Sequence, residues 1–297
     1  MLSLLFLCAA GNAIAALAPK TVSQKAAFTA ADEDLQKLDA ANNHPAALTD
    51  FTATLVLGIK YESAKSPDQQ PTPRYPEVPA QPVIAELSPP DEEQIVDCSI
   101  EKCVALTFDD GPSHEHTPKL LDILAKEEVP VTFFVLGNRT EAWPEIVARA
   151  VEEGHEIASH TWRHANLKLQ STGARKKDLA KANRAIEKIT GQAPHLLRPP
   201  YGASNSRVAK SAKEAGLSQV FWDIDTQDWK HRDAKTITER AAAATDGSIV
   251  LLHDIHDTTI EAAPKIIKKL RKEGFTFVTV SALLGDVQPG ESYWRAP

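Results

Sequence analysis

A chain of 297 residues, 42% of them apolar and 25% charged, has room for one large domain plus an appendage and the composition of a soluble globular protein. Its 33 Lys and Arg stand against 40 Asp and Glu, a formal net charge of −7. That balance excludes nucleic acid as a main partner and leaves no basic patch for an anionic lipid surface.

The first element is a leader. Residues 2–10 are mostly apolar, and small residues suited to cleavage follow near 15–18. Residues 1–18 therefore read as a secretory signal peptide, which makes the mature protein secreted or cell-wall associated. Gly11 and Asn12 interrupt the apolar run, which is short for a bilayer span, so no stable membrane insertion is expected after cleavage. Residues 19–60 are Ala-rich and weakly patterned, with Thr29 and Asp32 placed to cap a short helix. From 66 to 90 prolines recur every few residues, an extended and semi-rigid linker. The region 19–94 is thus a poorly defined N-terminal extension with a domain boundary near 95. Cys98 and Cys103 follow at once, and in an exported protein they are expected to form a disulfide.

A regular rhythm then begins. The run Val104–Phe108, closed by Asp109, Asp110, Gly111 and Pro112, reads as a strand buried on both faces. An amphipathic stretch over 118–127 follows. Further strands are expected in VTFFVLG, HEIASH, HLL, QVFWDID, SIVLLHD and FTFVTVS, with helices over 143–153, 172–189, 205–215, 236–244 and 261–273. Seven β-then-α units imply a parallel sheet covered on both faces. An open doubly wound sheet and a distorted barrel both fit. No glycine-rich phosphate loop or dinucleotide fingerprint follows the first strand. The notable polar residues all stand where strands end, and in a (β/α) barrel those ends share one active face. The expected fold is therefore an α/β distorted barrel of about seven strands.

Each of those strand ends has a plain reading and a chemical one. Asp109 and Asp110 make a common Asp-Gly turn, or two carboxylates pointing to opposite sides of a strand. His160 and His164 are four apart, a spacing shared by surface histidines and by pairs that meet one cation. Arg198 opens RPPYG, where two prolines stiffen the backbone and Gly202 lets it turn. DIDTQDW supplies Asp223, Asp225, Asp228 and Trp229, and His253 follows an apolar strand with Asp254 beside it. His114, His116, His155, His195 and His256 read as loop or surface residues. Trp162 and Tyr201 are placed to stack on sugar rings, whereas Trp222 and Trp229 read as core.

Together, TFDDGP, HTWRH, RPPYG, DTQDW and LHD, in this order, resemble the five motifs of polysaccharide deacetylases, the NodB-homology group or carbohydrate esterase family four. The resemblance covers about 95–288 and leaves 289–297 as a C-terminal tail. It implies a distorted (β/α) barrel and hydrolysis of acetyl groups on N-acetylglucosamine polymers, chitin or peptidoglycan, or on acetylated xylan. By this resemblance Asp109 is the general base, and Asp110, His160 and His164 are ligands of zinc, or of cobalt or another divalent metal. Arg198 pairs with the base, and the Tyr201 backbone N–H serves the oxyanion. His253 is the general acid, with Asp225, four before Trp229, orienting it. Arg198 is then expected to depress the pKa of Asp109 and Asp225 to raise that of His253. The resemblance predicts a metal-dependent N-deacetylase acting on an acetylated glycan. An acetylxylan O-esterase with the same chemistry and a wall-binding protein built on the N-terminal region are the alternatives.

Overall fold

The computed structural model describes residues 96–297. The expected leader, capped helix and proline-rich linker lie outside the described residues. Strand β1 is Cys103–Asp109, followed by β2 Thr132–Val135, β3 Glu156–Ser159, β4 Leu196–Leu197, β5 Ser218–Val220, β6 Ile224–Asp225, β7 Ser248–His253, β8 Thr276–Phe277 and β9 Ser292–Tyr293. All these named strands pair in parallel, in the order β6-β7-β1-β2-β3-β4-β5-β9, with β8 beside β1. Every expected strand is present. QVFWDID, however, is not one strand: β5 pairs with β4 and β6 with β7.

The break has a physical cause. Asp223 leaves the ladder, and its carboxylate accepts from the Ile249 N–H and the Ser248 hydroxyl, both at 2.8 Å. One chain segment thereby serves both ends of the sheet order and brings a distorted barrel round on itself. Residues 289–297, expected as a tail outside the domain, instead supply β9 against β5, and Arg295 bridges to Ser248.

Strand alternation sorts the side chains into two layers. Val104, Leu106 and Phe108 of β1 join Phe133, Val135, Val250 and Leu252 in the outer core. The helices Thr117–Glu127, Pro144–Glu152, Ala234–Ala241 and Asp257–Lys272 cover that layer with Leu120, Leu124, Ile146, Ile237 and Ile266. Cys103, Ala105, Phe134, Ala158, Val220 and Ile249 form the inner core. Continuing the inward rows along β1 and β7 arrives at Thr107 and Asp109, and at Leu251 and His253. Asp109 and His253 are also register partners on adjacent strands. Packing alone therefore sets these two polar residues side by side at one end of the barrel.

Helix ends follow the side-chain signals in the sequence. Ser171, Asn205 and Asp233 accept backbone N–H groups at the starts of Thr172–Thr190, Ser206–Glu214 and Ala234–Ala241. Gly191 ends the longest helix in the left-handed region at φ 75°. Among the described residues no helix is long and apolar enough to cross a membrane.

Cys98 and Cys103 are joined by a disulfide. The loop it closes spans a sequence separation of 5, so its contribution belongs at the low end of the ~2–4 kcal/mol range. Alkylation of unreduced, denatured protein followed by peptide mapping should leave both cysteines unmodified. Alkylated Cys98 and Cys103 in protein made under oxidising conditions would contradict the bond.

Candidate active site

Asp109 is 3% exposed, and its Oδ1 accepts from Arg198 Nη1 at 2.7 Å. Arg198 is fully buried. It also donates to Thr107 Oγ1 at 2.7 Å, the Phe221 carbonyl at 3.0 Å and the Val220 carbonyl at 3.3 Å. Its guanidinium lies 4.0 Å from the Phe134 ring centroid. Arg198 pulls the pKa of Asp109 down, as expected, but does not decide the net shift. Burial, the larger influence, lifts the carboxyl to about 6 against the pull of Arg198.

The next residue turns away. Asp110 has φ 75°, a left-handed conformation uncommon for a residue other than glycine. Its Oδ1 is buried without a hydrogen-bond partner and lies 3.5 Å from His160 Nε2 and 3.4 Å from His164 Nε2. His160 Nδ1 is 2.7 Å from the Arg198 carbonyl oxygen. A carbonyl only accepts, so Nδ1 carries the proton and Nε2 presents its lone pair. Burial pushes both histidines down to about 4, leaving the imidazoles neutral at ordinary pH. One orphaned carboxylate oxygen and two neutral imidazole nitrogens, all within 4.8 Å of one another, fit a divalent cation. The structure thus brings together the three expected ligands.

The ligand loop is held from outside. The N–H groups of Gly137 and Asn138 donate to the carbonyls of Thr161 and Trp162 at 3.0 Å each, and the Trp162 N–H donates to Asp178 Oδ1 at 2.8 Å. The Trp162 ring packs so closely on Gly137 that a Cβ there would lie 2.7 Å from its Cε3. Lys181 Nζ sits 3.5 Å from the ring centroid. Trp162 therefore fastens the loop. Tyr201, at φ 61° in the turn Pro200–Gly202, meets the His164 ring at 4.5 Å between centroids.

His253 faces this group from β7, with its side chain 13% exposed. Its Nδ1 is 2.8 Å from Asp228 Oδ1, and its backbone N–H donates to Asp228 Oδ2 at 2.7 Å. Thr259 Oγ1 adds a 2.7 Å bond to Oδ2, and the Trp229 N–H a 2.9 Å bond to Oδ1. The orienting acid is therefore Asp228, and the sequence expectation of Asp225 is corrected. Asp225 ends β6 and accepts the Gln227 N–H at 2.8 Å. Gln227 then takes φ 52° and turns the chain, so that the short helix Asp228–His231 begins under His253. Burial disfavours the imidazolium, but Asp228 outweighs it and raises His253 to about 10.

Sequence reasoning did not single out Thr107, Thr259 or the role of Asp254. The last is fully buried, takes a hydrogen bond from Thr117 and packs on Gly111 so tightly that a Cβ there would lie 2.2 Å from its Oδ2. Only glycine fits between Asp110 and that carboxyl. None of the three carries a chemical signal without knowledge of its neighbours.

Fold and site together define a barrel hydrolase of the carbohydrate esterase type. A family model described as polysaccharide deacetylase matches residues 97–220. The chain is 45% identical over 195 residues to a peptidoglycan-N-acetylglucosamine deacetylase of Listeria monocytogenes, covering 65% of this chain and 41% of that protein. It thus spans less than half the length of that relative. A peptidoglycan-N-acetylglucosamine deacetylase of Bacillus cereus is 40% identical over 190 residues, covering 62% of this chain and 89% of the relative. Among solved structures, a family 4 acetyl xylan esterase from Clostridium thermocellum with a cobalt ion superposes at a TM-score of 0.62. It is 32% identical and covers 66% of this chain and all of its own. The chain belongs to the polysaccharide deacetylase family, carbohydrate esterase family four.

The Asp228 assignment has a direct readout in the imidazole NMR titration of His253. Asp228→Asn should lower its pKa by roughly 1–3 pH units, and Asp225→Asn by much less. A larger fall in the Asp225 variant would restore the sequence assignment.

Proposed function

We propose that this protein is a secreted, metal-dependent polysaccharide N-deacetylase. It hydrolyses the acetamide of N-acetylglucosamine-containing glycans, of peptidoglycan or chitin type, and releases acetate at or near the cell wall. Residues 95–288 form the catalytic unit, which β9 completes. The observation that carries the reading is the buried, unpartnered Asp110 Oδ1 between two neutral imidazoles, with Asp109 and His253 side by side on the adjacent strands β1 and β7.

Asp110, His160 and His164 would hold the cation, zinc by the chemistry of the donor set, with cobalt as a substitute. When bound, the ion polarises the acetyl carbonyl and makes water more acidic. Asp109, its Oδ1 engaged by Arg198, has Oδ2 to take the proton of the attacking water. The Tyr201 backbone N–H donates to the oxygen that gains charge. His253 has Nδ1 committed to Asp228, so its Nε2–H is the proton delivered to the amide nitrogen as the C–N bond breaks. The same residues serve an acetyl ester, and the similarity to an acetyl xylan esterase makes that the second reading.

Acetate release from N-acetylglucosamine oligomers and from acetylxylan, with and without chelator, tests both. Chelation should abolish activity on the oligomers, and Zn²⁺ or Co²⁺ should restore it. Full activity in metal-free protein, or acetate from acetylxylan alone, would overturn the proposal. His253→Ala should retain the metal while kcat falls by ~10²–10⁴-fold with a smaller change in KM. Loss of the metal in that variant would make His253 a ligand instead.

A further inference from the structure

The formal net charge of −7 hides an uneven distribution. Between positions 163 and 214 stand 12 Lys and Arg against 3 Asp and Glu, in a chain that carries 33 and 40. Two of the twelve cations, Arg175 and Arg198, are buried and hold the fold from within. Two of the three acids are engaged: Asp178 accepts the Trp162 N–H at 2.8 Å, and Glu214 lies 3.0 Å from Lys176 Nζ.

Helix geometry gathers cations on one flank. At about 100° per residue, Lys176, Lys177, Lys181, Arg184 and Lys188 of the helix Thr172–Thr190 fall within an arc of about 140°, and all five are exposed. Glu187 is the one acid on that side. The buried side chains of the same helix, Arg175, Leu179, Ala182, Ala185 and Ile186, occupy the opposite side. Lys177, Lys181, Arg184 and Lys188 succeed one another at three or four residues, a charge every ~4.5–6 Å along the axis. The helix Ser206–Glu214 lies alongside, since Arg175 Nε donates to Ser211 Oγ at 3.1 Å and Lys176 meets Glu214. It adds the exposed cations Arg207, Lys210 and Lys213. A surface hollow of about 450 Å³ opens among these side chains, lined by Lys176, Lys177, Ala180, Lys181 and Arg184.

The rest of the flank narrows the partner. The large apolar side chains exposed among the described residues, Ile100, Val151, Leu169 and Trp294, all lie outside these two helices. Stacking on nucleic acid bases needs an aromatic platform, and docking on a bilayer needs apolar side chains set among the cations. A hollow admits a single strand, which a flat bilayer surface is not. Four of the five charges on the longer helix are lysines, point charges without the planar fork that suits a carboxylate.

We propose that the flank formed by the helices Thr172–Thr190 and Ser206–Glu214 is a docking surface for a linear phosphodiester-linked polyol, a chain of evenly spaced anionic groups with neither bases nor acyl chains. The strand runs along the longer helix, its phosphates on Lys177, Lys181, Arg184 and Lys188. None of these cations takes part in the chemistry proposed above, so binding is independent of turnover and of the deacetylase reading.

The test is calorimetric titration of the full chain with poly(glycerol phosphate) over a range of salt concentrations. The logarithm of the association constant should fall against that of salt with a slope of about −3, as for roughly four phosphate contacts on a single strand. The triple substitution Lys177→Glu, Arg184→Glu and Lys188→Glu should weaken binding by roughly tenfold or more. The matched triple Lys126→Glu, Lys268→Glu and Lys272→Glu, on the helices Thr117–Glu127 and Asp257–Lys272, changes net charge equally and should bind much as the wild type does. Circular dichroism should be the same in all three proteins. Absence of binding by the wild type, or equal weakening in the two triple variants, refutes the surface. Tighter binding to oligothymidylate of equal charge, to polyglutamate or to phosphatidylglycerol vesicles refutes the phosphodiester-linked polyol as its partner.

Discussion

The buried ion pair between Arg198 and Asp109 is the constraint on which the rest of the site depends. One guanidinium bonds the end of β1 through Asp109 and Thr107, and the broken strand through the Val220 and Phe221 carbonyls. The backbone carbonyl of the same residue fixes the tautomer of His160. The proposed base, the barrel break and one proposed metal ligand are thus positioned by a single residue. Removing one member of a buried pair leaves an uncompensated charge, typically at a cost of about 3–5 kcal/mol. Arg198 therefore cannot be exchanged for a neutral residue without disturbing structure and chemistry together.

Environment then divides similar side chains into different roles. His160 and His164 are held near 4 by burial and stay neutral, as the proposed ligands must. His253, no better solvated, is held near 10 because Asp228 contributes a full negative charge at hydrogen-bond distance. Asp109 sits near 6. In the proposed mechanism the base must be ionised and the acid protonated, so activity would be supported above the first value and below the second. Loss on the acidic side would then come from protonating Asp109, and loss on the alkaline side from deprotonating His253. The two carboxylates of the Asp-Asp pair part company through one backbone angle at Asp110, which turns the second toward the histidines.

Much of this was legible in the sequence. The inward rows of β1 and β7 follow from strand alternation; residue type and spacing point to the two histidines, and the resemblance adds Asp110 as the third expected ligand. What failed did so where geometry and burial decide. Asp225 and Asp228 have the same chemistry and lie three residues apart; only the positive φ of Gln227 selects the second. The strand-like pattern of 219–225 gives no warning that Asp223 will drop out to cap Ile249. β9 is two residues long in a polar stretch after a glycine, too short for any periodic signal. Arg198 announces its charge in the sequence, but not that Asp109 is buried deeply enough to reverse the expected shift.

The central claim is that Asp109 performs proton transfer while its neighbour Asp110 holds the cation. The most direct measurement pairs metal analysis with acetate release from an N-acetylglucosamine oligomer in Asp109→Asn and Asp110→Asn. The account predicts that Asp109→Asn keeps one equivalent of metal and loses about 10²–10⁴-fold in kcat, while Asp110→Asn loses the metal together with the activity. Near-wild-type turnover in Asp109→Asn, or metal lost from that variant and kept in the other, would contradict it.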